Sequence, residues 1–275
     1  MTERRCIRLA GVQMLVRGGE PEANRRRAAR LVREAARAGA QLVVLPEAFD
    51  LGWTDESARE LAEPVPGGRT VRMLRRLART EGIYLAAGVT ERDGSRFYNA
   101  AVLVGPDGRL LLHHRKVNEL DFARRLYSVG SKLEVCDTGL GRIGLLVCAD
   151  ANAAGQVLSR ALGYLGADLI LLPSAWAVAP EHDLAKQPYG ALWERAFRPV
   201  AREYRLWMVA VSSVGRIRTG EWQGWKMIGN SMAVDPRGEV VYRARVGADA
   251  EEVFRLELEL VPRPAWGTDW EKVLT

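Results

Sequence analysis

Arg142-Ile-Gly-Leu-Leu-Val-Cys-Ala-Asp150 is the stretch on which the fold turns. Ile143, Leu145, Leu146 and Val147 form a short apolar run of the kind that fills a fully buried strand. The run stops at Cys148, small residues follow in Ala151-Asn-Ala-Ala-Gly155, and Gln156–Leu165 then reads as a helix. Cys148 thus ends a buried strand and faces a helix start, where α/β sheets gather their chemistry. Taken alone, it reads first as a small buried hydrophobe.

The pattern repeats on both sides of this stretch. Upstream, Ile7–Gln13 reads as a strand, Pro21–Ala38 as an amphipathic helix that Gly39 ends, and Gln41–Leu45 as a buried strand. Pro46-Glu47 follows directly. Thr70–Thr80 is a second helix, after a possible short one at Ser57–Leu61, and Ile83–Val89 is another strand. Downstream come strand Asp168–Leu172, helix Tyr189–Tyr204 with a break or kink expected at Pro199, and strand Leu206–Val211. Three hairpins are expected: Phe97–Val104 with Arg109–His113, Leu133–Asp137 with Gly141–Cys148, and Asn230–Asp235 with Glu239–Tyr242. Gly215–Gly229 reads as a polar loop containing tryptophan, and Glu252–Leu258 as a half-exposed strand. No composition shift marks a linker. Residues 1–275 read as one α/β domain with mixed strand direction, and 262–275 as a C-terminal extension in which Trp266 and Trp270 could anchor on a neighbour.

Composition excludes several classes. Of 275 residues 48% are hydrophobic and 27% charged, an ordinary balance for a globular chain with a sizeable core. No apolar stretch has the length of a membrane span or signal peptide. Three cysteines, an odd count, argue against a disulfide framework and for a cytoplasmic setting. The net charge of +6 comes from arginines scattered on helices that also carry apolar stripes, which points to solvated faces rather than nucleic acid. Gly139-Leu-Gly-Arg-Ile-Gly144 matches a dinucleotide-binding glycine pattern by letter, but it turns the chain into a strand instead of opening a helix.

Glu47, Lys116 and Cys148 each end or follow an expected strand, and together they meet the needs of covalent catalysis. A thiol nucleophile needs a base, which a partly desolvated carboxylate can supply. It also needs a cation to stabilise the oxyanion, and only five of the 40 basic residues are lysine. Pro46-Glu47, His114-Arg-Lys116 and Cys148-Ala-Asp150, in that order, resemble the three signature motifs of the nitrilase (carbon–nitrogen hydrolase) superfamily. The flanks are similar too: Gly11-Val-Gln13, Gly141-Arg-Ile-Gly144, Pro173-Ser-Ala-Trp176 and Asp235-Pro-Arg-Gly238.

This resemblance implies a four-layer α-β-β-α sandwich with two mixed sheets, and assembly into a homodimer or higher homo-oligomer. It assigns Glu47 as general base, Lys116 as oxyanion support and Cys148 as nucleophile, with the backbone N–H of Ala149 as a second oxyanion donor. No cofactor or metal is implied. Many members carry a second glutamate after the lysine; here Phe122–Gly130 holds arginines where that acid would fall, and Glu119 takes the assignment, Asp121 being the other nearby acid. Cys148-Ala-Asp150 resembles the amidase and carbamoylase pattern, whereas nitrilases often place Trp after the cysteine. The expected reaction is therefore hydrolysis of a small amide or N-carbamoyl compound through a thioester, releasing ammonia. A true nitrilase, a glutaminase-like ammonia-supplying subunit and a non-catalytic binding protein on this fold stay open. Trp53, Tyr127 and Trp176 are the expected pocket residues, suited to a small, partly apolar substrate.

Overall fold

The computed structural model describes residues 6–263. In chain order its main elements are strand β1 (Cys6–Gln13), helix α1 (Pro21–Arg37), β2 (Leu42–Val44), the short α2 (Ala58–Leu61), α3 (Arg69–Glu81), β3 (Tyr84–Asp93), β4 (Arg96–Val104) and β5 (Leu110–Arg115). There follow β6 (Val135–Thr138), β7 (Gly141–Leu145), α4 (Val157–Tyr164), β8 (Leu169–Ser174), β9 (Ala177–Val178), α5 (Ala191–Tyr204) and β10 (Trp207–Ser212). The last are β11 (Val214–Arg216), β12 (Lys226–Ile228), β13 (Met232–Val234), β14 (Val240–Arg243) and β15 (Glu252–Glu259).

The strands build two six-stranded mixed sheets, ordered β15-β1-β2-β3-β4-β5 and β14-β13-β10-β8-β7-β6. Their parallel pairs, β1 with β2, β2 with β3, β7 with β8 and β8 with β10, are each joined by a crossover containing a helix. The apolar alternation sets the layers. Leu42 and Val44 of β2 join one cluster with Leu145 of β7, Leu171 of β8 and Val209 of β10, whereas Val43 and Leu45 join another with Leu31 of α1 and Leu74 of α3. One side of β2 thus meets the second sheet and the other meets helices. Trp193, Phe197 and Val200 of α5 and Leu162 of α4 pack against the second sheet. The result is the expected α-β-β-α layering, and it explains why β2, covered on both sides, is apolar at every residue.

Several elements differ from the sequence reading. Helix α5 runs through Pro199, because Trp193, Ala196, Phe197, Val200 and Ala201 stay buried on one face across the proline and offset the lost backbone bond. Strand β3 continues past Val89 to Asp93 and forms a fourth hairpin with β4. Its polar end reads as loop, yet Glu91 is buried there because Arg115 (2.6 Å) and His113 (2.8 Å) pair with it. The polar loop after Gly215 contains strand pairing: β11, β12 and β9 form a small three-stranded sheet. The glycine pattern at Gly139–Gly144 does turn β6 into β7. Trp266 and Trp270 lie outside the described residues. Among the described residues no helix is long and apolar enough to cross a membrane.

One glycine lets the chain beyond β2 pass close against the neighbouring strand β3. A Cβ on Gly88 of β3 would lie 2.5 Å from Glu47 Cα and 2.9 Å from Pro46 O, both backbone atoms. The same close approach lets Gly88 N–H donate to Pro46 O (3.1 Å) and Phe49 N–H donate to Gly88 O (3.0 Å). Gly88→Ala is expected to lower the unfolding free energy by about 1–3 kcal/mol through overpacking, and to displace Glu47. A urea titration measures the first effect; an unchanged midpoint would mean that the Pro46–Ala48 backbone retreats without cost.

Candidate active site

Each proposed reactive residue follows a strand. Glu47 lies beyond β2, Lys116 is the residue after β5, and Cys148 stands beyond β7. Two backbone bonds hold these ends together: Glu47 N–H donates to Ser174 O at the end of β8 (3.2 Å), and Lys116 N–H donates to Asn99 O of β4 (2.8 Å). The sheets thereby bring residues far apart in the chain to one buried point. Glu47 and Lys116 are 0% and 1% exposed, and Cys148 is 7% exposed.

Lys116 Nζ donates to Glu47 Oε1 at 2.9 Å and lies 3.6 Å from Glu119 Oε2. Asn99 Nδ2 donates to the same Glu47 Oε1 at 2.6 Å, which leaves Glu47 Oε2 buried without a hydrogen-bond partner. Burial alone would drive the proton off Lys116, but the carboxylates of Glu119 and Glu47 outweigh it and hold the ammonium well above the usual lysine range. Glu119 behaves oppositely. Burial, aided by the charges of Glu47 and Asp150, outweighs Lys116 and pushes its carboxyl up to about 7.

Cys148 opens a short 3₁₀ turn (Cys148–Asn152) with φ of 44°, a left-handed conformation that a non-glycine residue adopts at a cost of about 1 kcal/mol or more. That conformation turns the chain sharply away from the strand direction, an arrangement that presents a nucleophile at a sheet end. Burial first, and then the charge of Glu47, push the Cys148 thiol pKa upward; Lys116 and the Ala175 backbone N–H act against them. The surroundings therefore favour the thiol over the thiolate. Cys6 is exposed and Cys136 half-buried, and neither belongs to this cluster.

The other expected residues divide. The Trp53 ring lies over the ammonium, with Lys116 Nζ 5.8 Å from its centroid, and packs edge-on against Phe122 (5.6 Å) and Trp222 (5.4 Å). Tyr127 is buried, and its hydroxyl accepts the Thr54 N–H (3.2 Å). Burial and the charges of Glu119 and Glu47 keep that phenol protonated. Trp176 stacks on Trp193 at 4.6 Å, just beyond Ala175. The indole N–H groups of Trp53 and Trp176 are both buried without partners. Ala149 sits in the turn of Cys148, its carbonyl accepting Asn118 Nδ2 (2.6 Å). Sequence reading passed over Asn99, although an amide inside the apolar strand Phe97–Val104 was a legible signal. It also passed over the Ala175 N–H, which no side-chain pattern reveals. Among the described residues no cluster of His, Cys, Asp or Glu could hold a metal ion.

An α-β-β-α sandwich in which a carboxylate, an ammonium and a thiol converge at the strand ends has the architecture of the nitrilase superfamily. The family model for carbon–nitrogen hydrolases matches residues 8–262, and the chain belongs to that family of enzymes. It is 34% identical to a protein of Pyrococcus abyssi named nitrilase, over 93% of this chain and 91% of that one. It is 32% identical to omega-amidase NIT2-B of Xenopus laevis, over 86% of this chain and 84% of the relative. Among solved structures, Saccharomyces cerevisiae Nit3, of the nitrilase superfamily, superposes with a TM-score of 0.77 at 27% identity, covering 93% of this chain and 90% of that chain.

The raised Glu119 carboxyl has a sign for stability. The folded state binds its proton more tightly than the unfolded chain, so the contribution is fully present below about 4.5 and is lost as pH rises through about 7. Asp50, pushed up to about 6 by burial, acts in the same direction. Glu119→Gln is expected to flatten the fall in stability between these limits without abolishing it, because Asp50 remains. Denaturant titrations across that range measure it, and an unchanged slope would place Glu119 as a carboxylate throughout.

Proposed function

We propose that this enzyme hydrolyses the C–N bond of a small amide or N-carbamoyl compound through a thioester on Cys148, releasing ammonia. The observation that carries the reading is the buried Lys116–Glu47 contact of 2.9 Å, with the second Glu47 oxygen left open beside a protonated thiol. Glu47 takes the Cys148 proton as sulfur attacks the carbonyl carbon, so the thiolate need not persist at rest. The carbonyl electron pair moves onto oxygen, where the Lys116 ammonium and the Ala149 N–H receive it. Collapse breaks the C–N bond, and the proton held by Glu47 passes to the departing nitrogen. Water then gives its proton to Glu47, attacks the thioester carbon and releases the acid, returning the proton to sulfur. Glu119 keeps the far side of the ammonium partnered and, titrating near neutrality, serves as a second acid–base group.

Trp53, Tyr127 and Trp176 form the acyl pocket in this reading, and their aromatic faces favour a small substrate with an apolar portion. The relatives named omega-amidase support an amide, as does Ala149 directly after the cysteine. A nitrile is the second reading, favoured by the 34% identical relative that carries the name nitrilase. The site draws on both sheets, which supports one catalytic domain over residues 1–275, and we place it in the cytoplasm as a homodimer or higher homo-oligomer.

A panel of amides, N-carbamoyl compounds and nitriles read by ammonia release is the test. On the best substrate Cys148→Ala is expected to lose about 10,000-fold or more of turnover. Glu47→Gln should lose about 100- to 10,000-fold, and Lys116→Ala about 100- to 1,000-fold. Mass spectrometry should find the acyl group on Cys148. Full turnover by Cys148→Ala, or an adduct confined to Cys6 and Cys136, would overturn the covalent route.

A further inference from the structure

Asp150 is fully buried, and all of its recorded bonds run to the two loops that carry the reactive ammonium and thiol. Its Oδ1 accepts the backbone N–H groups of Val117 (2.9 Å) and Asn118 (2.7 Å), the two residues after Lys116. Its Oδ2 accepts the N–H of Val147 (2.9 Å), the residue before Cys148, and pairs with His114 Nε2 (2.8 Å), two residues before Lys116. A carboxylate only accepts, so His114 Nε2 carries the hydrogen of that bond. Asn118 Nδ2 closes the junction from the other side on Ala149 O (2.6 Å). Donors on both sides of Lys116, and the backbone N–H just before Cys148, therefore meet around one carboxylate.

We infer that Asp150, with His114 as its side-chain partner, is a positioning residue that fixes the Lys116 ammonium relative to the Cys148 sulfur. The inference rests on the proposed roles of Lys116 and Cys148. The two residues sit on different sheets, and no ladder bond joins β5 to β7. The spacing of cation and nucleophile thus depends on contacts between loops. A displacement of about 1 Å at such a spacing is enough to cost about 100-fold in rate. Asp150 touches neither substrate nor sulfur in this scheme. Its saturation by four donors, and the depression of its pKa by His114 and the backbone N–H groups against the cost of burial, fit a carboxylate that does not exchange protons during turnover.

The chemical reactivity of Cys148 separates positioning from simple charge. Removing a buried negative charge by itself eases thiolate formation, so electrostatics alone makes Asp150→Asn react faster with iodoacetamide. Loss of the junction moves the ammonium off the sulfur and makes it react more slowly. We expect alkylation of Cys148, followed by peptide mass spectrometry at mildly alkaline pH, to slow by about 10-fold in Asp150→Asn, with kcat for the best substrate down by about 100-fold and KM changed by less than about 3-fold.

In a double-mutant cycle, Lys116→Ala should slow alkylation much less in the Asp150→Asn background than in the native protein, because both act through one ammonium. His114→Gln keeps a donor toward Asp150 and should retain most of the alkylation rate, whereas His114→Ala should not. If Asp150→Asn does not fold, the His114 variants in the same cycle with Lys116→Ala carry the test. Faster alkylation in Asp150→Asn, additive effects in the cycle, or equal behaviour of His114→Gln and His114→Ala would overturn the inference. These results leave the thioester route standing, since that route falls only if Cys148→Ala stays active.

Discussion

The structure depends on holding an ammonium and a carboxylate together where there is almost no water. Transferring either ion from water costs several kcal/mol, and mutual attraction repays this only with good geometry and further partners. Lys116 has such partners in Glu47 at 2.9 Å, Glu119 at 3.6 Å and the face of Trp53 at 5.8 Å. Glu47 adds a bond from Asn99 to the same oxygen. Apolar residues of similar volume would fill this space at lower cost, so stability does not account for the pair. What the pair provides is a cation that stays charged and a carboxylate held beside it, both fixed in advance.

The two-sheet architecture makes this possible because parallel strands with helical crossovers deliver their C-terminal ends to the same edge. β2 and β8 end on opposite sides of the shared apolar layer, and the bond from Glu47 N–H to Ser174 O joins them there. The layer beneath is built mainly of buried apolar side chains, which limits how far the strand ends can drift. The backbone beyond the strands is where irregularity is tolerated, and there Cys148 takes its left-handed φ.

Much of this was legible in the sequence, for identifiable reasons. Apolar runs at residues 42–45, 143–147 and 169–172 announced strands buried on both faces, and the helices between them implied parallel pairing. Glu47, Lys116 and Cys148 stood out because each ends or follows an expected strand. The misses share a cause. The polar end of β3, the β11–β12 pairing and the continuity of α5 through Pro199 are all set by tertiary partners rather than local pattern. The site shows the same division. Reactive side chains are visible as residue types, but Ala175 contributes a backbone N–H, and the partners of Asp150 are spread over the 114–118 and 147 positions. Even the expected aromatic wall gained two members, Trp222 and Trp193, only through packing.

Three carboxyl groups lie buried within this one cluster, and their environments sort them into different tasks. Asp150 has both oxygens filled by four donors, so its charge is spent on holding loops. Glu47 has one oxygen filled by two donors and the other open, which leaves it anchored at one end and free to take a proton partner at the other. Glu119 has neither oxygen in a hydrogen bond, only the ammonium at 3.6 Å, and burial accordingly lifts it to about 7. Such environments separate the protonation behaviour of groups that share one model chemistry. The ordering also limits the charge in the site. Asp150 is held as a carboxylate by its donors, and the Lys116 ammonium faces Glu47 at 2.9 Å and Glu119, a group that can hold a proton, at 3.6 Å. On the proposed route a thiolate formed at Cys148 draws on Lys116 while Glu47 carries the thiol proton, and the buried cluster need not gain net charge as the sulfur ionises.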